Sequence, residues 1–262
     1  MQTIRTKDGI TLHVQDEGPK NGHPILFANS LGTDMRVWDP LLPHLPGGLR
    51  IVRFDKRGHG LSDCPPAPYA IGDLVEDTAA IVDTLGLERI TFVGLSIGGL
   101  IGQGLAAERP SLMRGLVLMD TAAKIGTKDM WQERIALLEE VGLEGMADAV
   151  MERWFARSFR EDRPADLRLW QNLLTRTPKE GYAGCCAAIA GADMTLSTEA
   201  LQVPVLAMAG EEDGATPPEV VRATAQLCEG AFHTIMDAGH LPCVEQPGTV
   251  AALIRDFLKE TA

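Results

Sequence analysis

Six short apolar runs recur along the chain: ILFAN at 25–29, IVRFD at 51–55, ITFVG at 90–94, LVLM at 116–119, VPVLAMAG at 203–210 and AFHTIM at 231–236. Runs this short and this uninterrupted suit strands buried on both faces. Between them lie stretches with helical spacing, such as DLVEDTAAIVDTLGL at 73–87 and TVAALIRDFL at 249–258. A glycine near the end of the first marks a helix stop. Alternation of strand and helix predicts an α/β fold, a mostly parallel central sheet flanked by helices. Ahead of it, QTIRTKDGITLHVQDE alternates about a Lys-Asp-Gly turn and reads as an antiparallel hairpin.

The alternation fails once. From Ala123 to Thr195 no convincing strand occurs, only helical sequence such as MWQERIALLEEVGL and MADAVMERWFARSF. The expected organisation is therefore a core of residues 1–122 and 196–262, with a helical cap of residues 123–195 inserted between two sheet strands as a lid over the site. Its composition differs as well. The insertion holds three of the four tryptophans and ten of the 24 basic side chains against 12 of the 36 acidic ones, net −2, leaving −10 on the remainder. The cap is the less repulsive wall for an anion. Packing of the tryptophans and solvation of the charges account for the same pattern without any ligand.

At 262 residues the chain is long enough for one large core with an enclosed site. Its formal charge of −12 argues against nucleic acid or an anionic membrane as the main partner. The N-terminal MQTIRTKDGI lacks the apolar stretch of a signal peptide. Ile90–Ala107, the longest apolar run, is broken by Thr91, Ser96, Gln103 and five glycines, so no transmembrane segment is expected. Cys64, Cys185, Cys186, Cys228 and Cys243 are odd in number and form no C-x-x-C pair. That usage predicts a reducing cytoplasm, with no disulfide framework and no structural zinc.

Ser96 lies in G-x-S-x-G, directly after the ITFVGL strand and before a helical run. A nucleophile turn requires this context, a sharp strand-to-helix bend that lifts the hydroxyl beyond the sheet's carboxyl edge. Gly94 and Gly98 then have a steric purpose. Gly102, Gly104 and Ala107 spell a dinucleotide-like G-x-G-x-x-A, but inside the helix rather than at its start, which favours packing. Six histidines could serve as base. His240 follows the last strand through a short DAGH loop, at the edge where open α/β sheets bind ligands; His13, His59 and His233 read as structural. The orienting carboxylate is assigned to Asp213 after VPVLAMAG, with Glu211, Glu212 and Asp120 as geometric alternatives. Backbone N–H groups of Ile97 and of Leu31, in the loop after ILFAN, are the expected oxyanion donors.

The order Ser96, Asp213, His240 is that of the α/β-hydrolases, and the resemblance goes further. ANSLGTDMRVWD, RFDKRGHGLSD, VGLSIGGLIGQGLA, DTAAKIG, MWQERI, AGEEDGATPP and AGHLPCVEQP together resemble the 3-oxoadipate enol-lactonases of bacterial aromatic catabolism, over nearly the whole chain. Many relatives carry His-Gly where this chain has Asn29 and Ser30. The resemblance implies opening of an unsaturated five-membered lactone bearing an acetate arm, with Ser96 as nucleophile and no cofactor or metal. The partner is a small anionic substrate, and the protein a monomer or small homo-oligomer. Arg134 and Lys124 are the expected contacts of the substrate carboxylate, with Trp131 and Trp154 walling the ring. Alternatives are a carboxylesterase or cofactor-free perhydrolase with the same triad, and a non-catalytic small-molecule binder of the same fold.

Overall fold

The expected hairpin is present as β1 (Gln2–Arg5) and β2 (Thr11–Glu17), antiparallel, with Thr3 opposite His13. This is a computed structural model, which describes residues 2–261. The alternating region follows as β3 (Pro24–Ala28), β4 (Arg50–Phe54), α1 (Ile71–Leu85), β5 (Ile90–Leu95), α2 (Ile97–Glu108) and β6 (Met113–Met119). Five helices separate β6 from the next strand: α3 (Lys128–Trp154), α4 (Arg157–Asp162), α5 (Pro164–Thr175), α6 (Lys179–Gly191) and α7 (Thr195–Glu199). The chain then returns to the sheet through β7 (Val205–Gly210), α8 (Pro218–Leu227), β8 (Ala231–Ile235), α9 (Pro242–Glu245) and α10 (Pro247–Glu260).

The strands form one sheet in the order β1-β2-β4-β3-β5-β6-β7-β8. From β4 onward every pairing is parallel, and only the two made by β2 are antiparallel. Burial follows position. All six residues of β5 and of β7 are buried, whereas β8 at the edge is mostly exposed. Helix α2 is buried from Ile97 through Ala106, because it packs on β5, β6 and α1 at once. The glycines inside it make that approach possible: a Cβ at Gly102 would meet the Phe92 ring at 2.7 Å, and one at Gly104 the Val75 side chain at 2.6 Å. They are packing residues, as expected from their place in the helix.

The insert lies where the alternation fails. Helix α3 bends at Gly142, whose φ of 68° is not helical, and packs on α5 and α6. Helix α7 instead packs against α2 and α8 of the main body. All five cysteines are free, four of them buried. Among the described residues, no helix is long and apolar enough to cross a membrane.

Candidate active site

Strand β5 ends in a backbone that only a strained residue can continue. Ser96 sits at φ 57°, ψ −119°, a conformation that costs a non-glycine residue about 1–3 kcal/mol. The turn is held from both sides: Ser96 N–H donates to the Met119 carbonyl at 2.9 Å, and Thr121 Oγ1 donates to the Ser96 carbonyl at 2.7 Å. Two glycines let it close. A Cβ at Gly94 would lie 2.3 Å from the Gly98 carbonyl oxygen, and one at Gly98 2.0 Å from that of Ala28. Helix α2 begins at Ile97, so its first N–H groups point back towards Ser96.

The candidate acid and base come from the ends of the last two strands. Asp213 follows β7 and His240 follows β8, both buried at the sheet's carboxyl edge beside Ser96. His240 Nδ1 lies 2.9 Å from Asp213 Oδ2, which fixes the proton on Nδ1 and leaves Nε2 free to act as base. Asp213 Oδ1 accepts from the N–H groups of Ala215 at 2.7 Å and Thr216 at 3.1 Å. Burial raises the cost of ionising Asp213, but the His240 ring and these donors outweigh it and hold the carboxyl below its ordinary value. Asp213 therefore carries the negative charge.

Asp120, the geometric alternative, lies behind this pair rather than in its place. Its Oδ1 accepts from Gly210 N–H at 2.8 Å, while its Oδ2 has no partner. Complete burial and the neighbouring Asp213 charge push its pKa well above the usual carboxylate range, so of the two carboxyls Asp120 is the one that favours the protonated form. Side-chain donor atoms of Asp120, Asp213 and His240 all fall within 4.8 Å of one another, a spacing that would suit a metal ion. The Nδ1–Asp213 hydrogen bond uses the ring atom that such an ion would need, and the cluster reads as an acid–base relay. Glu211 and Glu212 are exposed and orient no histidine.

Ser96 Oγ is not hydrogen-bonded to His240; the ring's Nε2 lies 3.3 Å from Ser30 Oγ instead. Nucleophile and base are often apart until substrate arrives. The Ser30 hydroxyl thus has a contact with the base that the His-Gly pattern of many relatives could not suggest. Of the two expected oxyanion donors, Ile97 follows Ser96 at the start of α2 and Leu31 lies in the loop after β3. Leu31 lines the cavity at Ser96, and among the described residues neither N–H group has a protein acceptor.

That cavity, about 290 Å³, lies between the sheet edge and the insert. Trp131, Arg134 and Trp154, expected there, all line it, together with Arg153, Tyr182 and Thr216. Arg134 donates twice to Tyr182 Oη, at 2.9 and 2.6 Å, and its guanidinium lies 5.9 Å from the Trp131 ring centre. Arg153 has no side-chain hydrogen bond or ion pair among the described residues, and its backbone carbonyl accepts from Gly214 N–H at 3.3 Å. Burial, with the Arg134 charge adding to it, pulls its pKa below the ordinary arginine value. The only acid lining the cavity, Glu133, is exposed and pairs with neither arginine. Lys124 requires a correction. It is exposed, bonds Asp193 Oδ2 at 2.9 Å, and does not line the cavity. Nothing in the sequence separates Arg153 from the other basic residues of the insert; only the fold of α3 brings it inward.

Comparison with known proteins agrees with this geometry. A family model described as alpha/beta hydrolase fold matches residues 23–247. A curated relative from Acinetobacter baylyi, 3-oxoadipate enol-lactonase 2, is 36% identical over 245 residues, covering 92% of this chain and 91% of its own. The crystal structure of an enol-lactonase from Burkholderia xenovorans superposes with a TM-score of 0.94 at 34% identity, over 98% of this chain and 100% of that one. A thermophilic esterase from Thermogutta terrifontis, solved with malate bound, gives 0.92 at 29% identity, over 99% and 98%.

Proposed function

The chain belongs to the alpha/beta hydrolase family, and from that premise we propose that it opens the ring of 3-oxoadipate enol-lactone through an acyl-enzyme on Ser96. The observation that carries this reading is the pair of arginines, Arg134 and Arg153, that face the cavity of Ser96 with no carboxylate partner. Two uncompensated cations in a half-buried site call for an anionic ligand. The lactone's acetate arm supplies one, and its ring fits against Trp131 and Trp154. The enol-lactonase relatives act on such a compound by name, and the malate bound to the related esterase is itself a carboxylate. A cytoplasmic enzyme suits both the substrate and the five free thiols.

In this mechanism His240 Nε2 takes the proton of Ser96 Oγ as the oxygen attacks the ring carbonyl. The tetrahedral oxyanion is received by the N–H groups of Leu31 and Ile97. When the ring C–O bond breaks, the leaving oxygen departs as an enol, protonated by His240, and relaxes to a ketone. That relaxation removes the group that could close the ring again. Water then gives a proton to Nε2 and attacks the acyl carbonyl, and Ser96 recovers its proton as the new acid leaves. No step calls on a metal or an organic cofactor.

Turnover of the enol-lactone beside p-nitrophenyl acetate tests the proposal. Wild type should open the lactone, and Ser96→Ala should lower kcat by about three orders of magnitude or more. Rapid ester hydrolysis with an inert lactone would identify a carboxylesterase or perhydrolase instead. Failure of a fluorophosphonate to label Ser96 would identify a non-catalytic binder.

A further inference from the structure

Lys56, just after β4, is 1% exposed. A fully buried ammonium is costly unless it is compensated, yet among the described residues no carboxylate forms an ion pair with it. The nearest acids are engaged elsewhere. Asp34 holds the Arg36 guanidinium, and Asp55 accepts from Met35 N–H at 2.9 Å and Leu61 N–H at 2.9 Å, with His13 Nδ1 at 2.8 Å. Lys56 Nζ instead donates to two carbonyls of one loop, that of Ser30 at 2.6 Å and that of Thr33 at 3.2 Å.

This is the loop that carries Leu31. The Ser30 carbonyl and the Leu31 N–H are the two ends of a single planar amide and, in the trans form, point in opposite directions. A cation bonded to the oxygen draws electron density across the amide and makes its N–H a stronger donor. His59 completes the hold, its Nε2 accepting the Gly32 N–H at 3.0 Å, while Leu31 N–H has no protein acceptor. We infer that Lys56 is a positioning residue for acyl transfer: from beneath the oxyanion loop, its ammonium polarises the Ser30–Leu31 peptide and aims the Leu31 N–H at the tetrahedral oxygen.

Burial lowers the Lys56 pKa to about 8, so the charge is present at neutral pH and lost in mild alkali. The other titratable groups facing it are Asp34, Asp55, His59 and Cys185. Burial, then the Lys56 charge, hold His59 well below its ordinary value, and burial lifts Cys185 to about 12, so neither changes charge between pH 7 and 9.5.

The inference rests on the acyl-transfer reading of Ser96 but not on the identity of the substrate, and fluorophosphonate labelling checks that reading separately. Wild type, Lys56→Met and Lys56→Gln are compared on p-nitrophenyl acetate, with affinity for a phenylboronic acid as a mimic of the tetrahedral adduct. Wild-type kcat should fall with the loss of one proton near pH 8. Lys56→Met should lack that fall, lose about tenfold or more in kcat at pH 7 with KM within about threefold, and lose boronate affinity by a similar factor. Lys56→Gln, a donor without charge, should be intermediate at pH 7 and also level above it. A folded Lys56→Met enzyme with wild-type kcat, or with the same alkaline fall, overturns the proposal. If neither variant folds, a wild-type kcat level from pH 7 to 9.5 overturns it, and a fall near pH 8 upholds it.

Discussion

Arg134 and Arg153 face one cavity with no carboxylate between them, and only Arg134 is held, by the Tyr182 hydroxyl. Arg153 is therefore the cation with donors to spare. Its replacement by Gln should raise KM for the enol-lactone about 10–100-fold, the equivalent of one or two charge-assisted hydrogen bonds, and leave KM for a neutral aryl ester within about twofold. Steady-state kinetics on both substrates decide the matter; equal losses on both would place Arg153 in the scaffold and not in recognition.

Ser30 Oγ competes with Ser96 for His240 Nε2. At 3.3 Å the contact is long, and removing it in Ser30→Ala should leave the rate of fluorophosphonate labelling at wild-type level or above. A labelling rate reduced more than about tenfold would mean that this hydroxyl orients the base.

Burial first, and Asp213 second, raise the pKa of Asp120 and favour its protonated form in the folded protein. Below about pH 4 folded and unfolded chains both carry this proton and nothing is lost. Above it the unfolded chain gains by ionising while the folded one does not, so this group's contribution to stability falls as pH rises. Asp120→Asn has no such penalty. Its amide oxygen can accept from Gly210 and its nitrogen can donate towards Asp213. The variant should melt with wild type near pH 4 and above it at pH 7. Calorimetry at both values checks this, and a melting difference that does not change with pH would contradict it.

A Cβ at Gly98 would lie only 2.0 Å from the Ala28 carbonyl oxygen. Backbone, not a movable side chain, blocks the methyl. Gly98→Ala should cost about 3 kcal/mol or more and reduce Ser96 labelling in whatever protein folds. Urea denaturation and labelling read the two effects; a variant of native stability would show that β3 and α2 can separate freely.

The fold was legible because buried parallel strands write themselves as apolar runs. β5 and β7, wholly buried, coincide with ITFVG and with the core of VPVLAMAG. Within the candidate site, the placement of residues was more legible the farther they lie from the insert. Ser96, Asp213 and His240 each end a strand, so local sequence determines their placement. Arg153 lies near the end of α3, whose packing on α5 and α6 turns it to the cavity, whereas Lys124 lies ahead of that helix and pairs with Asp193 at the surface. Lys56 and Ser30 were hidden for another reason. Their roles depend on pairings between segments 26 and 210 residues apart, which no local pattern records.

The end of α3 touches both arms of the relay through its backbone: the Trp154 carbonyl accepts from His240 N–H at 2.8 Å, and the Arg153 carbonyl from Gly214 N–H, one residue beyond Asp213. Two residues that line the cavity thus share main-chain bonds with the loops that carry Asp213 and His240. The cavity wall and the candidate relay are continuous through the main chain at this helix end. Substitutions that shift the backbone of this helix end, unlike a side-chain exchange such as Arg153→Gln, should show non-additive effects with substitutions in the His240 loop.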